Sequence, residues 1–226
     1  MEYEFFPVTR FEQNCSILWC ESSRKAAVID PGGDLWLITS FLELQELELE
    51  RILITHGHGD HAGGAAELAE LTGAVIEGPH RGDAHLINGL VEHGRALQLQ
   101  TRSFEPQRWL EDGDRVRFGE VCLQVLHCPG HTRGHVAYFH EPSGTAFVGD
   151  ILFRNAIGAW EHRNGDLATL VHSIRCKLFP LGDHVRFVPG HGPMSSFGQE
   201  RQSNPFIGDG TRALELLEGG TDGSYP

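Results

Sequence analysis

Ile52-Leu53-Ile54-Thr55-His56-Gly57-His58-Gly59-Asp60-His61-Ala62-Gly63-Gly64 is the stretch from which the fold and the chemistry of this chain are read. The three aliphatic residues at its start read as a short buried strand. After Gly64, Ala65, Leu68 and Ala69 recur at helical spacing and Gly73 closes the pattern, so a helix follows the loop. Between strand and helix, His56 and His58 can project from an extended segment toward one point, and Asp60 and His61, one turn later, toward a second. Gly57, Gly59, Gly63 and Gly64 let the backbone turn tightly around both points. Imidazole and carboxylate are ligands for divalent metals. Even with 14 histidines in the chain, a random H-x-H-x-D-H is expected only about 0.003 times at this length, so a metal site explains the cluster better than scattered loop histidines do.

Three later segments repeat the layout of apolar strand, glycine and ligand-type side chain. Leu126-His127-Cys128-Pro129-Gly130-His131 ends on His131, Phe147-Val148-Gly149-Asp150 on Asp150, and Phe187-Val188-Pro189-Gly190-His191 on His191. A rigid sheet presents ligands at one edge in this way. Working outward, strands are expected over 2–8, 16–19, 26–29, 52–54, 116–118, 121–126, 136–139, 146–148 and 186–188, the last being the final strand. A helix capped by Asp34 should carry Leu35, Ile38 and Leu42 on one face, and another capped by Asp166 should carry Leu167, Leu170, Val171, Ile174 and Leu178. Residues 77–111 are harder to read, with a short helix expected around Leu86, Ile87, Leu90 and Val91. Strands flanked by helices throughout imply layered α/β structure. Residues 1–207 read as one domain, and 208–226, rich in Gly, Asp and Ser, as a mobile tail.

The 226 residues are 40% hydrophobic, enough for a substantial core. A formal net charge of −13 disfavours nucleic acid and anionic membranes as partners, since both attract basic surfaces. No apolar run reaches the length of a membrane span. The acidic start Met1-Glu2-Tyr3-Glu4 is unlike a secretory signal, so a cytoplasmic protein with a small-molecule substrate is expected. Cys15, Cys20, Cys122, Cys128 and Cys176 are odd in number and contain no CxxC pair, which argues against a disulfide framework. Cys128 alone lies near a candidate ligand.

The ligand segments, together with Pro7-Val8-Thr9, Gln13-Asn14-Cys15, Asp30-Pro31-Gly32-Gly33, His191-Gly192-Pro193, Glu200-Arg201 and Asn204-Pro205-Phe206, make residues 1–207 resemble the metallo-β-lactamase fold superfamily. Within it, the chain is most similar to the short, single-domain bacterial hydrolases of glyoxalase II type. The resemblance implies a four-layer αββα sandwich with two divalent metal ions at one edge. It assigns His56, His58 and His131 to one ion, Asp60, His61 and His191 to the other, and Asp150 as the bridge, with Asp60 and Asp150 as the catalytic carboxylates. It further implies hydrolysis of a thioester such as S-lactoylglutathione by an activated water. Chemistry agrees, because a thiol leaving group of pKa about 8.5 departs without a proton donor, whereas an amide nitrogen needs one. Zinc is the default metal, and iron or manganese would suit the same ligands.

One departure from the resemblance bears on substrate. Such enzymes carry Arg or Lys after a glycine shortly beyond the bridging aspartate, but here the stretch is Gly158-Ala159-Trp160-Glu161. An anionic substrate loses a charged contact contributing about 1.5–3 kcal/mol. Arg154, Trp160 and His162 are the candidate substrate contacts, and Arg154 or Arg163 either replaces the missing cation or lies on the surface. His135 either orients a ligand histidine or is simply packed. The other histidines, His80, His85, His93, His127, His140, His172 and His184, lack ligand spacing. Two other functions stay open. One is a persulfide dioxygenase with a single iron on His56, His131 and Asp150, although its G-C-G-R-T-D pattern is missing; the other is a binding protein with a relict site.

Overall fold

Strand alternation builds the molecule. In the computed structural model, which describes residues 1–210, the first half runs β1 (Glu2–Val8), β2 (Gln13–Trp19), β3 (Lys25–Ile29), α1 (Leu35–Leu44), β4 (Glu48–Leu53), α2 (Gly59–Ala62), α3 (Ala65–Thr72) and β5 (Val75–Glu77). These strands form a five-stranded sheet in the order β1-β2-β3-β4-β5, antiparallel at first and parallel from β3 onward. Helices α4 (Ala84–Asn88) and α5 (Leu90–Leu97) lead to the second half: β6 (Arg115–Phe118), β7 (Val121–His127), β8 (Val136–His140), β9 (Thr145–Gly149), the small hairpin β10 (Leu152–Phe153) and β11 (Ala156–Ile157), α6 (Leu167–Ser173), β12 (Arg186–Pro189), β13 (Ser195–Ser196) and α7 (Phe197–Ser203). Here a six-stranded sheet has the order β13-β12-β9-β8-β7-β6.

Successive side chains on a strand face opposite ways, and this sorts the core into three layers. On β3, Ala26 and Val28 pack with Ile38, Leu42 and Leu68 of α1 and α3, while Ala27 and Ile29 face the other sheet. On β9, Phe147 enters the space between the sheets, while Ala146 and Val148 pack with Leu170, Ile174 and Phe197 on the outer helices. Helix, sheet, sheet, helix is the order that results, the αββα sandwich. The sheets are tied where it matters for the site: the Tyr138 hydroxyl donates to the Ile54 carbonyl at 2.8 Å, and the Val136 amide donates to the Thr55 carbonyl at 2.8 Å. At the other seam, the Asn14 side-chain amide donates to the carbonyls of Pro189 and Gly192.

Several elements differ from the sequence reading. Asp34 precedes α1 but makes no capping bond: its backbone is left-handed (φ 48), and its carboxylate accepts from the Thr9 amide at 2.6 Å instead. Asp166 does cap α6, accepting from the Thr169 amide at 2.8 Å. The obscure stretch begins at the end of β5 and holds a 3-10 turn (Arg81–Asp83) and the short helices α4 and α5, which bury Ile87 and Leu90 but leave Val91 exposed. The strand at 186–188 is not the last, since β13 pairs with it and leads into α7, capped by Ser196. The expected tail lies outside the described residues from 211 onward. Among the described residues, no helix is long and apolar enough to cross a membrane.

Phe147 is 2% exposed and stands edge-on to Tyr3, with ring centroids 5.5 Å apart. Phe147→Ala is expected to lower unfolding free energy by about 3–5 kcal/mol, measured by urea denaturation. A loss below about 1 kcal/mol would mean the two sheets do not depend on this contact.

Candidate metal centre

The site lies at the edge where the two sheets meet. His56, His58, Asp60 and His61 leave the end of β4; His131 lies in the turn between β7 and β8; Asp150 and His191 directly follow β9 and β12. Residues up to 135 positions apart in the chain are thereby brought to one cluster. His58 Nδ1 lies 3.0 Å from His56 Nε2 and 3.1 Å from His131 Nε2. His191 Nε2 is 3.3 Å from Asp60 Oδ2. Asp150 faces both groups: its Oδ1 is 3.3 Å from His61 Nε2, and its Oδ2 is 3.6 Å from His131 Nε2 and 3.9 Å from His191 Nε2. In each trio, His56–His58–His131 and Asp60–His61–His191, the donor atoms all lie within 4.8 Å of one another.

The outer ring nitrogens show how the imidazoles are held. His131 Nδ1 donates to the Ala159 carbonyl at 2.8 Å, and His191 Nδ1 to the Phe11 carbonyl at 3.0 Å. His61 Nδ1 donates to Asp30 at 2.9 Å. The same carboxylate accepts from the Thr55 amide at 2.7 Å and from its hydroxyl at 2.6 Å, and His56 Nδ1 lies 3.0 Å from that hydroxyl oxygen. With each Nδ1 committed as a donor, each Nε2 presents a lone pair to the cluster. His58 is the exception, turning its Nδ1 inward.

Electrostatics favour a cation here. Burial, reinforced by the imidazoles of His61 and His135, holds His56 well below its ordinary range, and burial beside His131 lowers His58 to about 3. Both rings are therefore neutral, the form that binds metal. Burial works to raise Asp60, but His61 and His191 overcome it and lower the carboxyl to about 2; Asp150 is likewise driven below the carboxylate range. His61 moves the other way: burial opposes its charge, but Asp150 and Asp60 raise it well above the usual range. These carboxylates seek positive charge. Moreover, His61 Nε2 and Asp150 Oδ1 are buried and make no hydrogen bond within the described residues. A cation would satisfy both, so the donor set fits a metal.

Close backbone approach makes this geometry accessible. A Cβ on Gly190 would fall 2.0 Å from Asp150 Oδ1, and one on Gly32 would fall 1.6 Å from the Asp60 carbonyl oxygen. Only glycine fits at either position.

Sequence reasoning missed three residues. Asp30, which the sequence shows only as part of the Asp30-Pro31-Gly32-Gly33 stretch, is 2% exposed, a polar group with no reason to be inside unless it is bonded. Asp83, in the obscure stretch, is fully buried and accepts from the Gly57 amide, the Thr132 hydroxyl and the Gly134 amide, stapling the two ligand loops together. His93, on α5, accepts from the Gly59 amide at 3.1 Å, and its ring centroid is 5.6 Å from that of His58. Of the flanking candidates, His135 stacks on His56 with centroids 4.6 Å apart and its Nε2 accepts the Asp150 amide at 3.1 Å. The His162 ring centroid is 5.3 Å from that of His131. Arg154 and Arg163 are exposed, and Trp160 packs on the core and Phe206; among the described residues, no hydrogen bond or ring contact joins these three to the cluster.

The comparisons agree with this geometry. Residues 8–191 match the metallo-beta-lactamase superfamily, and the chain belongs to it. It is 39% identical over 209 residues to the hydroxyacylglutathione hydrolase GloC of Haemophilus influenzae, covering 92% of this chain and 98% of that protein. Among solved structures it is similar to the BLEG-1 B3 metallo-beta-lactamase, with a TM-score of 0.84, 29% identity and 91% and 99% of the two chains covered. It is also similar to TTHA1623 in a di-iron-bound form, with a TM-score of 0.81, 33% identity and 89% and 98% covered.

Asp30→Asn keeps the shape but exchanges acceptor-only oxygens for a mixed amide, which disturbs the hold on His61. Metal affinity is expected to fall roughly 10–100-fold, measured by competition with a chromogenic chelator. Unchanged affinity would remove Asp30 from the metal centre.

Proposed function

We propose that this chain is a dinuclear metal-dependent hydrolase acting on a thioester of the S-lactoylglutathione kind or a related ester. The observation that carries the reading is Asp150, whose carboxylate stands between the two donor trios, with Oδ1 3.3 Å from His61 and Oδ2 3.6 Å from His131 and 3.9 Å from His191. In this reading His56, His58 and His131 hold one ion, Asp60, His61 and His191 the other, and Asp150 bridges them. The hydrolase name of the Haemophilus influenzae relative supports the substrate class. Zinc is the expected metal, although the di-iron form of one structural relative shows that such a fold also accepts iron.

When bound, two such ions would lower the pKa of a shared water and polarise the substrate carbonyl. The chain supplies orientation. The chain from His56 through Thr55 to Asp30, the His131–Ala159 bond and the His191–Phe11 bond fix each ring before substrate arrives, so little reorganisation is needed during reaction. Asp60 and Asp150 stay ionised across the neutral range. A thiolate leaves unassisted, so the reaction asks for no proton donor from the cluster. The reading places the protein in the cytoplasm with a small-molecule substrate.

Elemental analysis of the purified protein is expected to find two metal ions per chain, with metal-dependent release of thiol from S-lactoylglutathione. His58→Ala should reduce kcat/KM by about 100-fold or more. No turnover of any thioester by fully metallated protein would overturn the proposal. One iron per chain with oxygen uptake on glutathione persulfide would favour the dioxygenase instead.

A further inference from the structure

Two histidines outside the donor trios border the same ring. The centroid of His162 lies 5.7 Å from that of His58 and 5.3 Å from that of His131, and His93 stands 5.6 Å from His58. Neither belongs to a metal-holding group. In His162, Nδ1 accepts the Asn164 amide at 3.4 Å, which leaves Nε2 as the N–H donor. That Nε2 is buried and has no hydrogen-bond partner within the described residues. A buried donor without a partner is rare and unfavourable, and next to a reactive cluster it points to a bound acceptor.

The loop carrying His162 is anchored at several points. The Gly158 amide donates to the Ile151 carbonyl and the Gly165 amide to the His162 carbonyl. His131 Nδ1 donates to the Ala159 carbonyl, and His85 Nε2 lies 3.0 Å from Asn164 Oδ1. The ring of His162 is thus positioned by its loop. It stands one ring away from His58 and His131.

We infer that His162 is a substrate-contacting specificity residue whose Nε2–H binds an oxygen on the acyl side of the substrate, an α-hydroxyl above all. The inference rests on the hydrolase reading given above and assigns it an acyl subsite. The acyl group of such a thioester is uncharged, so selection at this end of the pocket works through a directed hydrogen bond from imidazole. His93 forms the opposite wall beside His58, its Nδ1 committed to the Gly59 amide.

Product acids isolate the contact from turnover. Lactate and propionate differ by the α-hydroxyl, and their binding to the zinc-loaded full chain is measured by calorimetry for wild type, His162→Ala, His162→Asn and His162→Gln. Gln carries its amide N–H about as far out as Nε2, whereas Asn reaches only to Nδ1. Wild type is expected to prefer lactate about tenfold, with the preference lost in the Ala and Asn variants and partly kept in Gln, at unchanged metal content and Tm. In turnover, KM for S-lactoylglutathione should rise more than kcat falls. A lactate preference unchanged in His162→Ala, loss of metal from that variant, or failure of wild type to bind either acid overturns the inference. Absence of thioester turnover with the lactate preference intact overturns the hydrolase reading alone.

Discussion

Asp30 is a carboxyl side chain inside the protein, and the candidate metal centre is organised around the bonds that make its burial tolerable. A buried carboxylate without partners would cost several kcal/mol. Here it accepts from the Thr55 amide, the Thr55 hydroxyl and His61 Nδ1. Those bonds set the path of the chain as it leaves β4 and fix which nitrogen of His61 faces the cluster. Through the Thr55 hydroxyl the same carboxylate reaches His56. One aspartate beneath the site thus orients a histidine of each trio, and its own backbone adopts a left-handed conformation (φ 53) to do so.

The second requirement is a seam between two sheets. Each sheet alone offers half of the donors: the β4 loop brings His56, His58, Asp60 and His61, and the other sheet brings His131, Asp150 and His191. The Tyr138–Ile54 and Val136–Thr55 bonds lock the sheets together beside the site, and Asn14 does the same at the His191 side. Asp83 adds a third clasp between the His58 and His131 loops. The donors converge because rigid layers are pinned close to them, and glycines at 32 and 190 let the backbones meet without collision.

The loop from 158 to 165 is where this chain departs from the pattern it otherwise follows. Ala159 contributes a carbonyl that orients His131, Trp160 turns inward against the core and Phe206, and His162 comes to the edge of the cluster. The expected cation is absent from position 159, while the donor trios are complete.

The local sequence by itself marked most of the longer strands, the helix after the H-x-H-x-D-H loop and the seven side chains that converge at the sheet edge, because each depends on short-range signals: apolar alternation, a glycine, then a side chain of a type able to bind metal. Between 77 and 111 only a short helix around Leu86, Ile87, Leu90 and Val91 was legible, since helices of five and eight residues are too brief to show a clear period, and they are stabilised by packing of Ile87 and Leu90 into the helix layer. Asp34 read as a cap because its position was right, but a partner 25 residues away, the Thr9 amide, took its carboxylate. The roles of Asp30, Asp83, His93 and His135 were decided only by tertiary structure, because each acts through a hydrogen bond or ring contact to a residue distant in sequence, and no local pattern encodes which buried polar group will meet which.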